Sequence, residues 1–141
     1  MSSVALSPEN FQKVRKESDI VVGVHIRHGD YINFMQGRYF YTVDEYLAVM
    51  SKVKKLFINK KVAFLVCSNA KQQHRKFEKF NCFFGSDHIV EDLYSFAKCD
   101  YIIGPPSTYT LWASFYGNVP LYRITDITKA PTLDNFFING G

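Results

Sequence analysis

At 141 residues the chain is long enough for a single domain with a real interior, and 47% hydrophobic against 21% charged residues excludes a disordered chain. A net charge of +4 suits an anionic small ligand. The lysines are scattered or lie on solvated helix faces, as at Lys52, Lys54, Lys55, Lys60 and Lys61, and no DNA or RNA recognition module accompanies them.

The aromatic content of 16%, with 13 Phe and 9 Tyr, fills a core and leaves rings over for a base- or sugar-facing surface. Cys67, Cys82 and Cys99 are odd in number and lack CxxC spacing, so neither a disulfide framework nor a zinc site is expected. That usage points to a reducing compartment, the cytoplasm. No stretch approaches a membrane span in length, and the first residues lack a signal-peptide pattern.

In chain order, Ser7-Pro8-Glu9 reads as a capped helix start, with a polar helix running to about Glu17. Residues 19–26 form a β-branched run suited to a buried parallel strand. A long loop then covers Arg27 to Tyr41. Thr42-Val43-Asp44-Glu45 is a capping box, and Tyr46, Val49, Met50, Val53 and Phe57 mark one apolar helix face after it. A second buried strand covers residues 62–67. A short helix is expected within residues 72–80, and a short strand at 82–84.

Further on, Glu91 to Lys98 reads as a helix and residues 101–103 as a strand. A turn at Gly104-Pro105-Pro106 leads into a helix capped by Ser107 and ending near Gly117. A last strand covers residues 120–124. The tail 125–141 has no period and is read as coil packed through Phe136, Phe137 and Ile138. Strand and helix alternate throughout, which predicts an α/β fold: one three-layer Rossmann-like domain over 1–141 with a mostly parallel sheet.

Ligands of open α/β sheets bind beyond the carboxyl ends of the strands. Three polar clusters fall there: His25 to Tyr31, Ser68-Asn69, and Pro106-Ser107-Thr108. The last opens a helix, whose free amides and partial positive charge attract phosphate. An ordinary serine cap is the plain alternative. Arg27 could grip phosphate through two parallel hydrogen bonds, or pair with Asp30. Strand alternation sends His25, Arg27 and the residue after Gly29 to one side, and for His25 alone a satisfied core histidine is the plainer reading. Asp92 and Glu91 sit where acids favour a helix start, and a carboxylate there could also accept from N1-H and the 2-amino group of guanine.

The run Val24-His25-Ile26-Arg27-His28-Gly29-Asp30-Tyr31 resembles the first motif of the α-1,2- and α-1,6-fucosyltransferase superfamily: His, any residue, Arg, Arg, any residue, Asp. The resemblance continues in order through residues 64–69, 91–100 and 102–109, with Trp112 following. It implies the C-terminal, donor-binding half of a two-domain GT-B enzyme. GDP-fucose would be the donor substrate, a glycan the acceptor, and no metal or cofactor would be obligatory. By motif position Arg27 would be the catalytic contact to the β-phosphate. His25 and Asp92 would hold guanine, His28 and Asp30 belong to the same substrate-binding motif, and Ser107 and Thr108 would help bind phosphate. Two departures stand out: His28 replaces the second arginine, and Ser68-Asn69-Ala70 replaces Ser-Asp-Asp. The N-terminal acceptor domain is missing from the resemblance, so the chain is expected to bind donor and to transfer little alone.

Arg27-His28-Gly29 also resembles the Arg-His-Gly signature of the histidine phosphatase superfamily, with His28 as nucleophile and His88 as the one tempting second histidine. A non-catalytic nucleotide-binding module is the third reading.

Overall fold

The computed structural model describes residues 8–28, 32–86 and 88–138. The Ser7 cap, Gly29, Asp30 and Tyr31 therefore lie outside the described residues. Helix α1 covers Pro8–Glu17 and strand β1 Ile20–Ile26. Helix α2, Val43–Lys55, is followed by β2, Val62–Ser68, and β3, Asn81–Phe84. Then come α3, Ile89–Phe96; β4, Tyr101–Gly104; α4, Thr108–Gly117; and β5, Leu121–Arg123.

The five strands form one sheet in the order β3-β2-β1-β4-β5, and every neighbouring pair is parallel. Such strands are apolar on both faces because helices cover both. Val22, Val24 and Ile26 of β1 join Phe64, Val66, Phe84 and Ile103 under α2. Val21, Leu65, Cys67, Phe83 and Ile102 join Phe11, Phe96 and Ala113 on the other face, beneath α1, α3 and α4. This is the three-layer α/β arrangement expected from the alternation of elements.

Local chemistry explains the elements. Both bonds of the capping box are made: the Glu45 amide donates to Thr42 Oγ1 at 3.2 Å, and the Thr42 amide donates to Glu45 Oε1 at 2.9 Å. The buried stripe of α2 is Tyr46, Val49, Met50 and Val53, at helical spacing. Arg15 of α1 grips the Asp100 carboxylate with both terminal nitrogens, one bond being 2.6 Å, and the same carboxylate accepts from the Val21 amide at 2.8 Å. Burial works to raise the Asp100 pKa; Arg15 and the Val21 amide outweigh it and hold the carboxyl below its usual range.

Several boundaries differ from the sequence reading. Helix α2 stops at Lys55, short of Phe57. The expected helix within 72–80 is a single 3₁₀ turn, His74–Phe77. Helix α3 begins at Ile89, two residues before the acids. The tail is not merely coil: Leu121 and Phe137 exchange backbone hydrogen bonds of 2.7 and 3.0 Å, an antiparallel bridge on the β5 edge. Phe136 packs on the core, edge-on to Tyr101 and tilted against Tyr122, whereas the Phe137 side chain stands exposed.

The end of α4 meets the end of α3 at Gly117. A Cβ added there would lie 2.1 Å from the Ala97 carbonyl oxygen and 2.6 Å from Ala97 Cα. Both are backbone atoms, so no side chain can swing aside. Gly117→Ala is expected to cost about 1–3 kcal/mol, read as a lowered urea midpoint at unchanged slope.

Candidate donor site

After β3 the chain crosses over β2 and β1 to build β4, so the strand order reverses beside β1. A reversal of this kind opens a crevice at the carboxyl ends of the two strands that flank it. A cleft of about 440 Å³ lies beside it, walled by the carboxyl ends of β1 and β2 and the early turns of α3 and α4.

From β1 the cleft receives His25 and Arg27, two residues apart and therefore on one side. His25 is buried between Tyr109, with ring centroids 4.9 Å apart, and Phe96 at 6.0 Å. Its Nδ1 has no hydrogen-bond partner among the described residues. Burial, and secondarily the Arg27 guanidinium, push its pKa down to about 3, so the ring is neutral at ordinary pH. Arg27 is half-buried, and its amide donates to the Tyr46 hydroxyl at 3.3 Å. A fixed cation thus stands beside an uncharged ring that can both donate and accept.

From α3 the cleft receives Asp92, buried to 5% exposure. One of its oxygens accepts from the Ser86 amide at 2.9 Å and the Ser86 hydroxyl at 3.1 Å. The approach depends on Gly85, where an added Cβ would lie 2.7 Å from both Asp92 Oδ2 and Cys67 Sγ. Ile89 and Leu93 supply the apolar wall of the same side.

From α4 the cleft receives Thr108, the first helical residue, with Tyr109 and Trp112 behind it. Ser107 is the cap. Its Oγ accepts from the Tyr109 amide at 3.0 Å and the Thr110 amide at 3.4 Å. Ser107 is buried and lies outside the cleft lining, so the plain alternative of a capping serine describes it. Arg27 and Thr108 do share the cleft.

His28 departs from its expected place. One residue beyond Arg27, it turns to the opposite side and stacks on Phe40 with centroids 4.9 Å apart. Its Nε2 donates to the Tyr41 carbonyl at 2.7 Å, and its Nδ1 accepts from Gln72 at 3.1 Å. Both ring nitrogens are engaged within the protein. Neither His28 nor His88 lines the cleft, which removes the geometry of a two-histidine phosphatase from it. Asn69 clamps the His28 backbone, accepting from its amide at 2.8 Å and donating to its carbonyl at 2.9 Å.

Sequence reasoning left out Cys67, Ile89, Leu93 and Tyr109, which all line the cleft. Cys67 reaches it because β2 pairs with β1 in a register that sets it beside His25. The three on the helices depend on how α3 and α4 converge. Among the described residues, no group of three or more His, Cys, Asp or Glu is placed to hold a metal ion.

His25 makes stability depend on pH. Its ordinary value is 6.5 and its folded value about 3, so between them the unfolded chain binds the extra proton. Stability is full above about 6.5 and falls as pH drops toward about 3. His25→Gln removes this contribution. Urea midpoints measured across that window are expected to fall less steeply for the variant than for the parent.

The family model described as Glycosyl transferase family 11 matches residues 7–128. No curated protein matches the chain. Among solved structures, fucosyltransferase NodZ from Bradyrhizobium is similar with a TM-score of 0.55 and 19% identity, covering 82% of this chain and 43% of that one. NodZ α-1,6-fucosyltransferase soaked with GDP-fucose gives 0.56 and 19%, covering 93% and 47%. The form co-crystallized with GDP gives 0.54 and 20%, covering 82% and 42%. This chain spans less than half the length of those structures. The resemblance to the fucosyltransferase superfamily holds, and with most of its length matched the chain belongs to glycosyl transferase family 11.

Proposed function

We propose that this domain binds a guanosine-diphosphate sugar, GDP-fucose, as the donor half of an inverting fucosyltransferase. The observation that carries the reading is the meeting of Arg27, neutral His25, Asp92 and Thr108 in one cleft beside the strand-order reversal. In that reading the pyrophosphate lies between Arg27 and the start of α4. The Thr108 hydroxyl and the helix N-terminus donate to it. Negative charge grows on the departing diphosphate as the sugar bond breaks, and a preorganised guanidinium stabilises that charge more than the ground state.

The base lies toward α3. Asp92 accepts from N1-H and the 2-amino group of guanine, and His25 offers a neutral polar edge. The wall of Ile89, Leu93 and Trp112 covers the faces of the base and ribose. The nucleotide sugar enters as donor substrate, and the reading calls on no resident cofactor. Acceptor recognition falls to a second domain, so the chain alone binds donor and transfers little.

Titration calorimetry with GDP, ADP and UDP tests the reading. GDP is expected to bind with a clear preference. Arg27→Ala is expected to weaken GDP by roughly ten- to a hundredfold, the worth of a charged hydrogen-bond pair, with Arg27→Lys recovering only part. Equal affinity for all three nucleotides, or hydrolysis of a phosphomonoester abolished by His28→Ala, would overturn it.

Asp92→Asn gives a separate check on the base assignment. The parent is expected to prefer GDP over inosine diphosphate, which lacks the 2-amino group, by about tenfold. The variant is expected to lose that preference while its affinity for inorganic pyrophosphate stays unchanged.

A further inference from the structure

Tyr109 touches three of the four elements that wall the cleft. Its amide donates to Ser107 Oγ at 3.0 Å, within the cap of α4. Its ring is tilted against His25 of β1, with centroids 4.9 Å apart, and stands edge-on to Phe96 of α3 at 6.1 Å. Its hydroxyl donates to the Ile89 carbonyl at 2.7 Å, across 20 positions of sequence. Ile89 opens α3 and lies one turn before Asp92, and both line the cleft.

His25 and Phe96 already orient the ring, so the hydroxyl is not needed for that. What it adds is a tie between two helices that the chain joins only through β4. The opening of α3 needs such a tie. The helix is 8 residues long, too short to hold by its own propensity. Its cap residue, His88, makes no side-chain bond to the free amides. Ile89 and Val90 stand exposed and do not anchor the first turn in the core. The Ser86 amide and hydroxyl hold the Asp92 carboxylate to the loop before the helix. The Tyr109 hydroxyl holds the turn that carries Asp92 to α4. Burial, with smaller contributions from Cys67 and Asp92, raises the Tyr109 pKa well above its ordinary value, so the hydroxyl remains a donor at neutral pH.

We propose that Tyr109 is a positioning residue for the nucleotide: its hydroxyl sets the spacing between the Asp92 carboxylate on α3 and the Thr108 start of α4, so that base and diphosphate are read together. The inference rests on the donor-binding reading of the cleft. In that reading a nucleoside diphosphate spans both helices, while inorganic pyrophosphate needs only Arg27 and α4. A spacing fixed in advance lets the spanning ligand use both ends without first ordering the site. Without the hydroxyl each end keeps its own groups, and only the ligand that bridges them loses affinity.

Tyr109→Phe removes the hydroxyl and keeps the ring, its packing on His25 and the Ser107 cap. In titration calorimetry it is expected to weaken GDP roughly five- to tenfold, the worth of one hydrogen bond, and to leave inorganic pyrophosphate unchanged. In an Asp92→Asn background the same change is expected to weaken GDP less than about twofold, because the hydroxyl acts through the carboxylate it places. Amide hydrogen exchange of the free chain is expected to quicken over residues 89–93 and to match the parent over residues 110–117.

Equal losses for GDP and pyrophosphate, or the full further loss in the Asp92→Asn background, would mean a general loosening of the fold and overturn the inference. So would parent-like GDP affinity in Tyr109→Phe, or unchanged exchange over residues 89–93. A parent that binds GDP, ADP and UDP alike overturns the guanine reading instead. The exchange comparison, which needs no ligand, and the contrast between nucleotide and pyrophosphate then still decide whether Tyr109 sets the spacing.

Discussion

A strand hydrogen-bonded on both edges and covered on both faces leaves only its end for chemistry, and β1 is such a strand. Parallel pairing with β2 and β4 obliges the chain to cross back over the sheet between β3 and β4. That crossing brings the first turns of α3 and α4 to one end of the sheet. Arg27 and His25 are therefore met by helix N-termini and by the Asp92 carboxylate, with no long-range design beyond the strand order. The strength of each interaction then follows from burial. Water is excluded from His25, so the ring stays uncharged beside a guanidinium, and the positive charge of the cleft concentrates on Arg27.

Much of this was legible in the sequence because it depends on local periods. The two-residue repeat of β1 sent His25 and Arg27 to one side. The Thr42–Glu45 box and the Ser107 cap were readable from single side chains. The same repeat places His28 on the far side, where it lies, but the family motif groups it with Arg27 by position and hides that difference. Ser107 looked like a phosphate ligand for a similar reason: a capping hydroxyl and a ligand hydroxyl occupy the same residue types. The start of α3 was missed because Ile89 and Val90 are exposed apolar residues, which a period-based reading does not assign to a helix start. The bridge between Leu121 and Phe137 is a long-range backbone pairing that no local pattern encodes.

The two departures from the motif have a structural counterpart. His28 and Asn69 interact with each other through the backbone clamp at the ends of β1 and β2. Gln72 extends the arrangement, donating to the His28 ring and to Ser68 Oγ, each at 3.1 Å. A second arginine and a pair of acids could have served the same junction by charge. Here amide and imidazole hydrogen bonds serve it instead, and Arg27 lines the cleft on the other side.

The Arg15–Asp100 pair lies at the opposite end of the sheet from the cleft, at the foot of the gap between β1 and β4. Because Asp100 also accepts from the Val21 amide, it ties the entry of β1 to the entry of β4, and α1 supplies the cation that keeps the carboxylate ionised. The leading helix is thus a clasp on the seam where the sheet changes direction. A chain trimmed to begin at Ser18 would leave that carboxylate with a single amide and take Phe11 out of the core, a loss at the entry of the two strands, at the other end of the sheet from the cleft.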